Sequence, residues 1–209
     1  YCVNLTDINI PDGVKNIGEY AFSCCRNLVE ISIPKNVERI NKGTFLGSTK
    51  LKTLIIPSTV KHIENFAFEG CIGLISIEIP DSVTSIGSSA FLGCTGLTSV
   101  VIPNSVTNIG DCAFGGCTSL TNVYYNGTIE DWCNISFGNY ESNPMKYASH
   151  FYMLDENNKY KEVTEIVIPE TITKIGDYQF YGFNNVKNIN IPNTVTSIGN
   201  SAFRGCRSL

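Results

Sequence analysis

Hydrophobic and polar residues alternate along this chain on a fixed beat of 23 residues. Pro11, Pro34, Pro57, Pro80 and Pro103 are separated by that interval, and Pro169 and Pro192 repeat it further on. Phe22, Phe45, Phe68, Phe91, Phe114 and Phe137, then Phe180 and Phe203, keep the same step. The stretch from Pro103, PNSVTNIGDCAFGGCTSLTNVYY, can be laid over that from Pro80, PDSVTSIGSSAFLGCTGLTSVVI. A period of this size is the signature of a solenoid.

Each part of the unit predicts a local structure. The run LxxIxI alternates inward and outward positions, as a strand buried on one face does, and the proline after it ends the strand because it has no amide to donate. Nine such segments begin at Leu5, Leu28, Leu51, Leu74, Leu97, Leu120, Ala148, Val163 and Val186. Val and Ile three apart, as in Val83 and Ile86, predict a second short extended or turning side. Gly18, Gly87, Gly110, Gly176 and Gly199 then mark a corner of positive φ or close backbone approach. AFxGC is too short for an independent helix and predicts a single helical turn. Ordering 23 backbones outweighs what one coil's few apolar side chains gain, so a coil is stable only between neighbours.

The period slips once. Pro103 and Pro169 are 66 residues apart, three short of three periods. The coil from Asn126 places Ile129, Trp132 and Phe137 in the Val, Ile and Phe phases and then runs five residues long. The next, 154–168, has only 15 residues, keeps only its strand and follows the polar turn DENNK, which predicts a hairpin-like connection. The expected organisation is one solenoid over 1–209, regular at 1–125, irregular at 126–168 and regular again at 169–209. Neither end carries a polar capping repeat, so a segment of a longer array is expected.

Composition changes this picture little. A net charge of −4 without a basic stripe argues against a nucleic-acid partner, and no apolar run reaches the length of a membrane-spanning helix. The nine cysteines lack metal-ligand spacing. Cys2, Cys25, Cys71, Cys94, Cys117 and Cys206 share one phase with Ser48 and Phe183, which points to buried thiols packed as small hydrophobes; bridges between adjacent coils are the alternative. Cys112 and Cys133, outside that column, are candidates for exposed thiols. His62 and His150 lie almost four coils apart, no Cys–His or Ser–His arrangement is implied, and no two carboxylates are held together. No catalytic residues, metal or cofactor are expected.

The segment 102–123, IPNSVTNIGDCAFGGCTSLTNV, resembles the consensus of the BspA-like leucine-rich repeats, and the likeness covers nearly the whole chain. It departs from the commoner LxxLxLxxNxL pattern: the asparagine place holds Gly13, Asn36, Thr59, Ser82, Ser105, Thr171 or Thr194, so an asparagine ladder is not expected. The resemblance implies a leucine-rich-repeat solenoid, a right-handed coil with mostly β structure, one parallel strand per coil and short helical turns. It also implies a secreted or cell-surface location and adhesion or ligand binding.

Two outward columns of the strands carry the candidate site. One reads Asn9, Ser32, Ile55, Glu78, Val101, Tyr124, Tyr152, Val167, Asn190; its neighbour reads Asp7, Glu30, Thr53, Ser76, Ser99, Asn122, His150, Glu165, Asn188. Val101, Asn122, Tyr124, His150, Tyr152, Glu165 and Val167 form the expected patch for a protein or glycan, because outward aromatics and aliphatics are flanked there by hydrogen-bonding residues. The alternative for Tyr124 and Tyr152 is that they cover the irregular coil's own insert. Trp132, Phe137 and Phe151 are in core phases. A spacer that only displays other modules, or an intracellular scaffold, is the rival to a binding role.

Overall fold

The computed structural model describes residues 2–209. Like positions of successive coils lie over one another in strict register. On the first side, Glu30–Ser32 pairs in parallel with Thr53–Ile55, and a second parallel run joins Ser76–Glu78, Ser99–Pro103, Asn122–Asn126 and His150–Leu154. The downstream strands Glu165–Val167 and Asn188–Asn190 pair with each other. Eight of the nine expected strands form; the segment after Leu5 makes no ladder.

The second side does more than turn. Arg39–Ile40, His62–Ile63, Ser85–Ile86, Asn108–Ile109 and Ser136–Phe137 build a second parallel sheet, and Lys174–Ile175 pairs with Ser197–Ile198 beyond it. Each regular coil therefore has two ladder strands where the pattern suggested one. Val83 and Ile86 are both fully buried although only Ser85–Ile86 is ladder strand, Val83 lying in the irregular segment between the Asp81–Ser82 turn and that strand, so the spacing of three need fit neither helix nor flat strand.

The third side is not the helical turn the AFxGC segment suggested. Alternate amides leave the coil: Phe45 donates to Ala67, Phe68 to Ala90 and Phe91 to Ala113, each at 2.8 Å. The amides between them close local turns, as from Ala90 to Gly87. Left-handed residues at Phe66 (φ 61°), Gly70 (φ 68°), Ser89 (φ 56°) and Gly93 (φ 70°) turn the outgoing amides toward the next coil. A helix would have consumed those donors internally and left the stack unbonded on this side.

Inside, Phe22, Phe45, Phe68, Phe91 and Phe114 stand in a file with ring centroids 5.2–5.7 Å apart and planes within 12° of parallel. Phe180 and Phe203 continue it at 5.6 Å. Polar ladders flank the file. Where other leucine-rich repeats place asparagine, Thr59, Ser82, Ser105 and Thr194 donate hydroxyls to the carbonyls of Val37, Val60, Val83 and Ile172 one coil earlier.

The cysteine column is a third ladder. Cys71, Cys94, Cys117 and Cys206 are unbridged, and each thiol donates to the carbonyl of a phenylalanine in the preceding coil at 3.0–3.3 Å. Ser48 makes the same bond to Phe22 at 2.7 Å, which explains why Cys and Ser interchange here. Burial pushes the Cys71 and Cys117 thiols up to about 12. Cys133, expected to be exposed, is buried and is likewise pushed up to about 12, first by burial and then by Glu130; Cys2 is the exposed thiol. Cys112 is half-buried, its sulfur accepting from Asn139 at 3.2 Å.

The Phe68 carbonyl already accepts the Cys71 amide, so the Cys94 thiol fills its second lone pair. Cys94→Ser should therefore change stability by less than about 1 kcal/mol, whereas Cys94→Ala, which removes the donor and leaves a small void, should cost about 1–2 kcal/mol. Urea-denaturation midpoints of the two variants measure the difference, and equal values would remove the ladder's energetic role.

The slip in the period resolves differently from its sequence reading. Ser136 pairs with Asn108 and Phe137 with Ile109, so Phe137 occupies the Ile phase, not the Phe phase. The five extra residues lie before it, where Thr128 caps the helix Ile129–Cys133 through a reciprocal bond with Asp131. The Phe place of this coil falls to Ser142, which is fully buried, and the phenylalanine file is broken there. Trp132 enters the core from that helix among Tyr125, Phe137, Phe151 and Phe183, at 4.9–5.7 Å. The expected packing role of Trp132, Phe137 and Phe151 matches their burial.

The short coil is a hairpin. His150–Leu154 pairs antiparallel with Tyr160–Glu162. Its turn is closed by the Asp155 carboxylate, which accepts the Asn157 and Lys159 amides at 2.8 and 3.0 Å. Having no second or third side, the hairpin lets the third side of the following coil dock on the coil before it. Trp132 Nε1 donates to the Gln179 carbonyl at 2.9 Å, the Gln179 amide returns a bond to the Trp132 carbonyl, and buried Asn143 donates to Tyr178 at 2.9 Å. Side chains here replace the missing ladder.

Candidate functional site

The parallel register brings five of the seven expected residues together. Val101, Tyr124 and Tyr152 are direct partners across three strands, and Asn122 pairs with His150 in the adjoining column. All five are half-buried. The Tyr124 and Tyr152 rings stack at 4.9 Å with planes 21° apart, a consequence of identical outward positions on adjacent parallel strands.

The hairpin completes this surface. Tyr160 folds its ring over Tyr124 at 4.7 Å and 57°, and its hydroxyl donates to Asn126 Oδ1 at 2.5 Å. His150 Nδ1 bonds Glu162 Oε1 at 2.7 Å, and Asn185 donates to the same oxygen at 2.8 Å. The His150 bond, with help from Asn185, holds the Glu162 carboxyl below its ordinary value despite partial desolvation. Desolvation raises the Tyr152 and Tyr160 phenols.

Glu165 and Val167 are not part of this ladder. They belong to the separate pair with Asn188–Asn190, since the antiparallel strand Tyr160–Glu162 takes the next place beside His150–Leu154. Glu165 instead borders a groove of about 400 Å³ together with Met153, Leu154, Lys161 and Thr164, while Val167 stands 66% exposed. Tyr160 and Glu162 were missed as site residues. Pairing the strand after DENNK back onto Tyr152 would have found them.

One unforeseen pair arises on the second side. His62 and Ser85 are ladder partners, and His62 Nδ1 lies 2.8 Å from Ser85 Oγ. Among the described residues no carboxylate bonds to this histidine, and the pair sits on the outward surface of the sheet with Arg39 as the next partner. Among the described residues no cluster of His, Cys, Asp and Glu could hold a metal ion, and no helix is long and apolar enough to cross a membrane.

Parallel ladders on consecutive sides, one inward file per phase and an outward sheet of graded character define a leucine-rich-repeat β-solenoid, a fold that is generally non-enzymatic and commonly binds proteins. The chain belongs to the BspA type leucine rich repeat family, whose repeat region matches residues 1–121 and 155–209 in six copies. The unmatched interval contains the helix insert and the first strand of the hairpin. A leucine rich cell surface protein of Faecalibacterium prausnitzii is similar at 37% identity and a TM-score of 0.61, covering 63% of this chain and 35% of that one. The leucine rich repeat protein of T. pallidum is 26% identical with a TM-score of 0.59, covering 98% of this chain and 78% of its own. The pneumococcal vaccine antigen PcpA shares the fold at 22% identity and a TM-score of 0.61, over 72% of this chain and 36% of that one. The chain thus spans about a third of the length of two of these proteins. No curated protein sequence matches it.

Proposed function

We propose that this chain is a binding module of a cell-surface protein, and that a macromolecular ligand, protein or glycan, docks on the first-side sheet around Tyr124 and Tyr152. The stacked tyrosine pair carries this reading. Two half-exposed rings already fixed against each other lose little conformational freedom on binding, and each still offers an apolar edge and a hydroxyl. Val101 extends the apolar strip, Asn122 and His150 supply hydrogen bonds beside it, and Glu165 borders the adjoining groove. The cell-surface character of the Faecalibacterium relative supports the location.

Tyr124→Ala with Tyr152→Ala should weaken binding at least about 30-fold, as loss of a hot spot of ~2 kcal/mol does. The assay is a screen of immobilised extracellular proteins and glycans. The melting temperature should fall by only a few degrees, because both rings lie outside the core. Undiminished binding would dismiss this surface and favour a spacer that displays other modules.

A further inference from the structure

The hairpin that interrupts the stack fills the missing rung on the first side only. On the second side the ladder stops at Ser136–Phe137 and resumes at Lys174–Ile175, with no pairing between them. Where the second-side ladder is continuous, the glycine after the second strand donates to the preceding coil: Gly87 to Ile63, Gly110 to Ile86, Gly138 to Ile109 and Gly199 to Ile175, at 2.7–2.9 Å. Thr107 and Thr196 likewise donate to Thr84 and Thr173. Thr173 and Gly176, the equivalent residues at the interruption, make neither bond.

The space itself is open. A Cβ placed on Gly110 would meet the Ser88 nitrogen at 2.6 Å, because the preceding coil presses against it. A Cβ on Gly176 would meet no atom of the preceding coil within 4 Å, only the side chain of Gln179. A pocket of about 340 Å³ lies there, lined by Asn134, Ser136, Lys174, Asp177 and Gln179. Gln179 occupies the place held by Ala67, Ala90 and Ala113 in regular coils. It is 1% exposed, its amide nitrogen is engaged by Trp132, and its Oε1 has no partner.

We propose that this slot is a second binding site, one that takes an extended main-chain segment of a partner polypeptide. Each lip is the edge of a parallel ladder and presents amide donors or carbonyl acceptors at strand spacing. Only a backbone carrying both in alternation satisfies the two lips together. Phosphate and carboxylate groups bring acceptors alone and leave the carbonyls of the Ser136–Phe137 lip unpaired. The site is on a different side of the coil from the tyrosine surface and does not depend on it.

Amide exchange followed by NMR on the 15N-labelled chain tests the opening, and titration with N-acetyl-triglycine amide tests the occupant. Gly176 should exchange at least about 100-fold faster than Gly110. The blocked peptide, at roughly millimolar concentration, should give saturable shifts at Thr173, Gly176 and the Gln179 side-chain amide, and slow exchange at Gly176. Ser136→Tyr, at an exposed rim position that takes no part in the Trp132–Gln179 bonds, should abolish those shifts while leaving the fold intact. A Gly176 amide as protected as Gly110, an absence of saturable shifts, or shifts that persist in Ser136→Tyr would each overturn the proposal.

Discussion

Replacing Trp132 by alanine should lower the unfolding free energy by about 3–5 kcal/mol and split a single transition into two. The side chain is fully buried and touches four aromatic rings drawn from three coils. It also carries a hydrogen bond across the interruption, where the second-side ladder is missing. In a stack whose stability is a sum over neighbours, the rung with the fewest ladder bonds is where cooperativity fails first. Without Trp132, the coils after the hairpin lose most of their hold on those before it and should melt separately. Trp132→Phe retains a ring but removes the indole donor, leaving the Gln179 carbonyl with only the 3.2 Å bond from Asn143, and should cost about 1–2 kcal/mol. Circular dichroism during urea denaturation measures both variants. Since Trp132 is the only tryptophan, its fluorescence in the unaltered protein reports the melting of this junction directly. A single transition displaced by less than about 1 kcal/mol in Trp132→Ala would contradict the assignment.

Phe91→Ala should cost a comparable ~3–5 kcal/mol, by a different route. Phe91 is stacked on both faces, 5.2 Å from Phe68 and 5.3 Å from Phe114, with no solvent to fill the void. Regular ladders on three sides hold the walls apart, so the cavity cannot collapse. Because the two rings share a contact, Phe68→Ala and Phe91→Ala together should cost less than the sum of the single variants, by about 0.5–1.5 kcal/mol. Additive losses would mean that the file packs against its own coil walls rather than ring against ring.

The two variants separate what was legible in the sequence from what was not. The phenylalanine file could be read directly, because a repeated residue in a solenoid has the same neighbour above and below. The same logic gave the register of Val101, Tyr124 and Tyr152, and it grouped the cysteines with Ser48 as one structural position. It failed where the period slipped. Counting forward from Asn126 places Trp132 and Phe137 in the Ile and Phe phases, but the helix inserted before Ser136 shifts both. The AFxGC turn misled for a related reason. Its residues suit a helical turn, yet the bonds that stabilise it run to the next coil, and the short sequence does not show where an amide will point.

Sequence alone determined the class of fold, the inward and outward assignment of nearly every regular position and the outward placement of the two tyrosines, since repetition turns local spacing into tertiary contact. Tertiary structure decided which rungs remain paired. The hairpin folds Tyr160 onto Tyr124, removes Glu165 and Val167 from the same ladder and leaves a slot beside Gln179. Those features depend on how one irregular coil shares its neighbours' hydrogen bonds among three sides, and such competition between distant partners has no counterpart in the spacing along the chain.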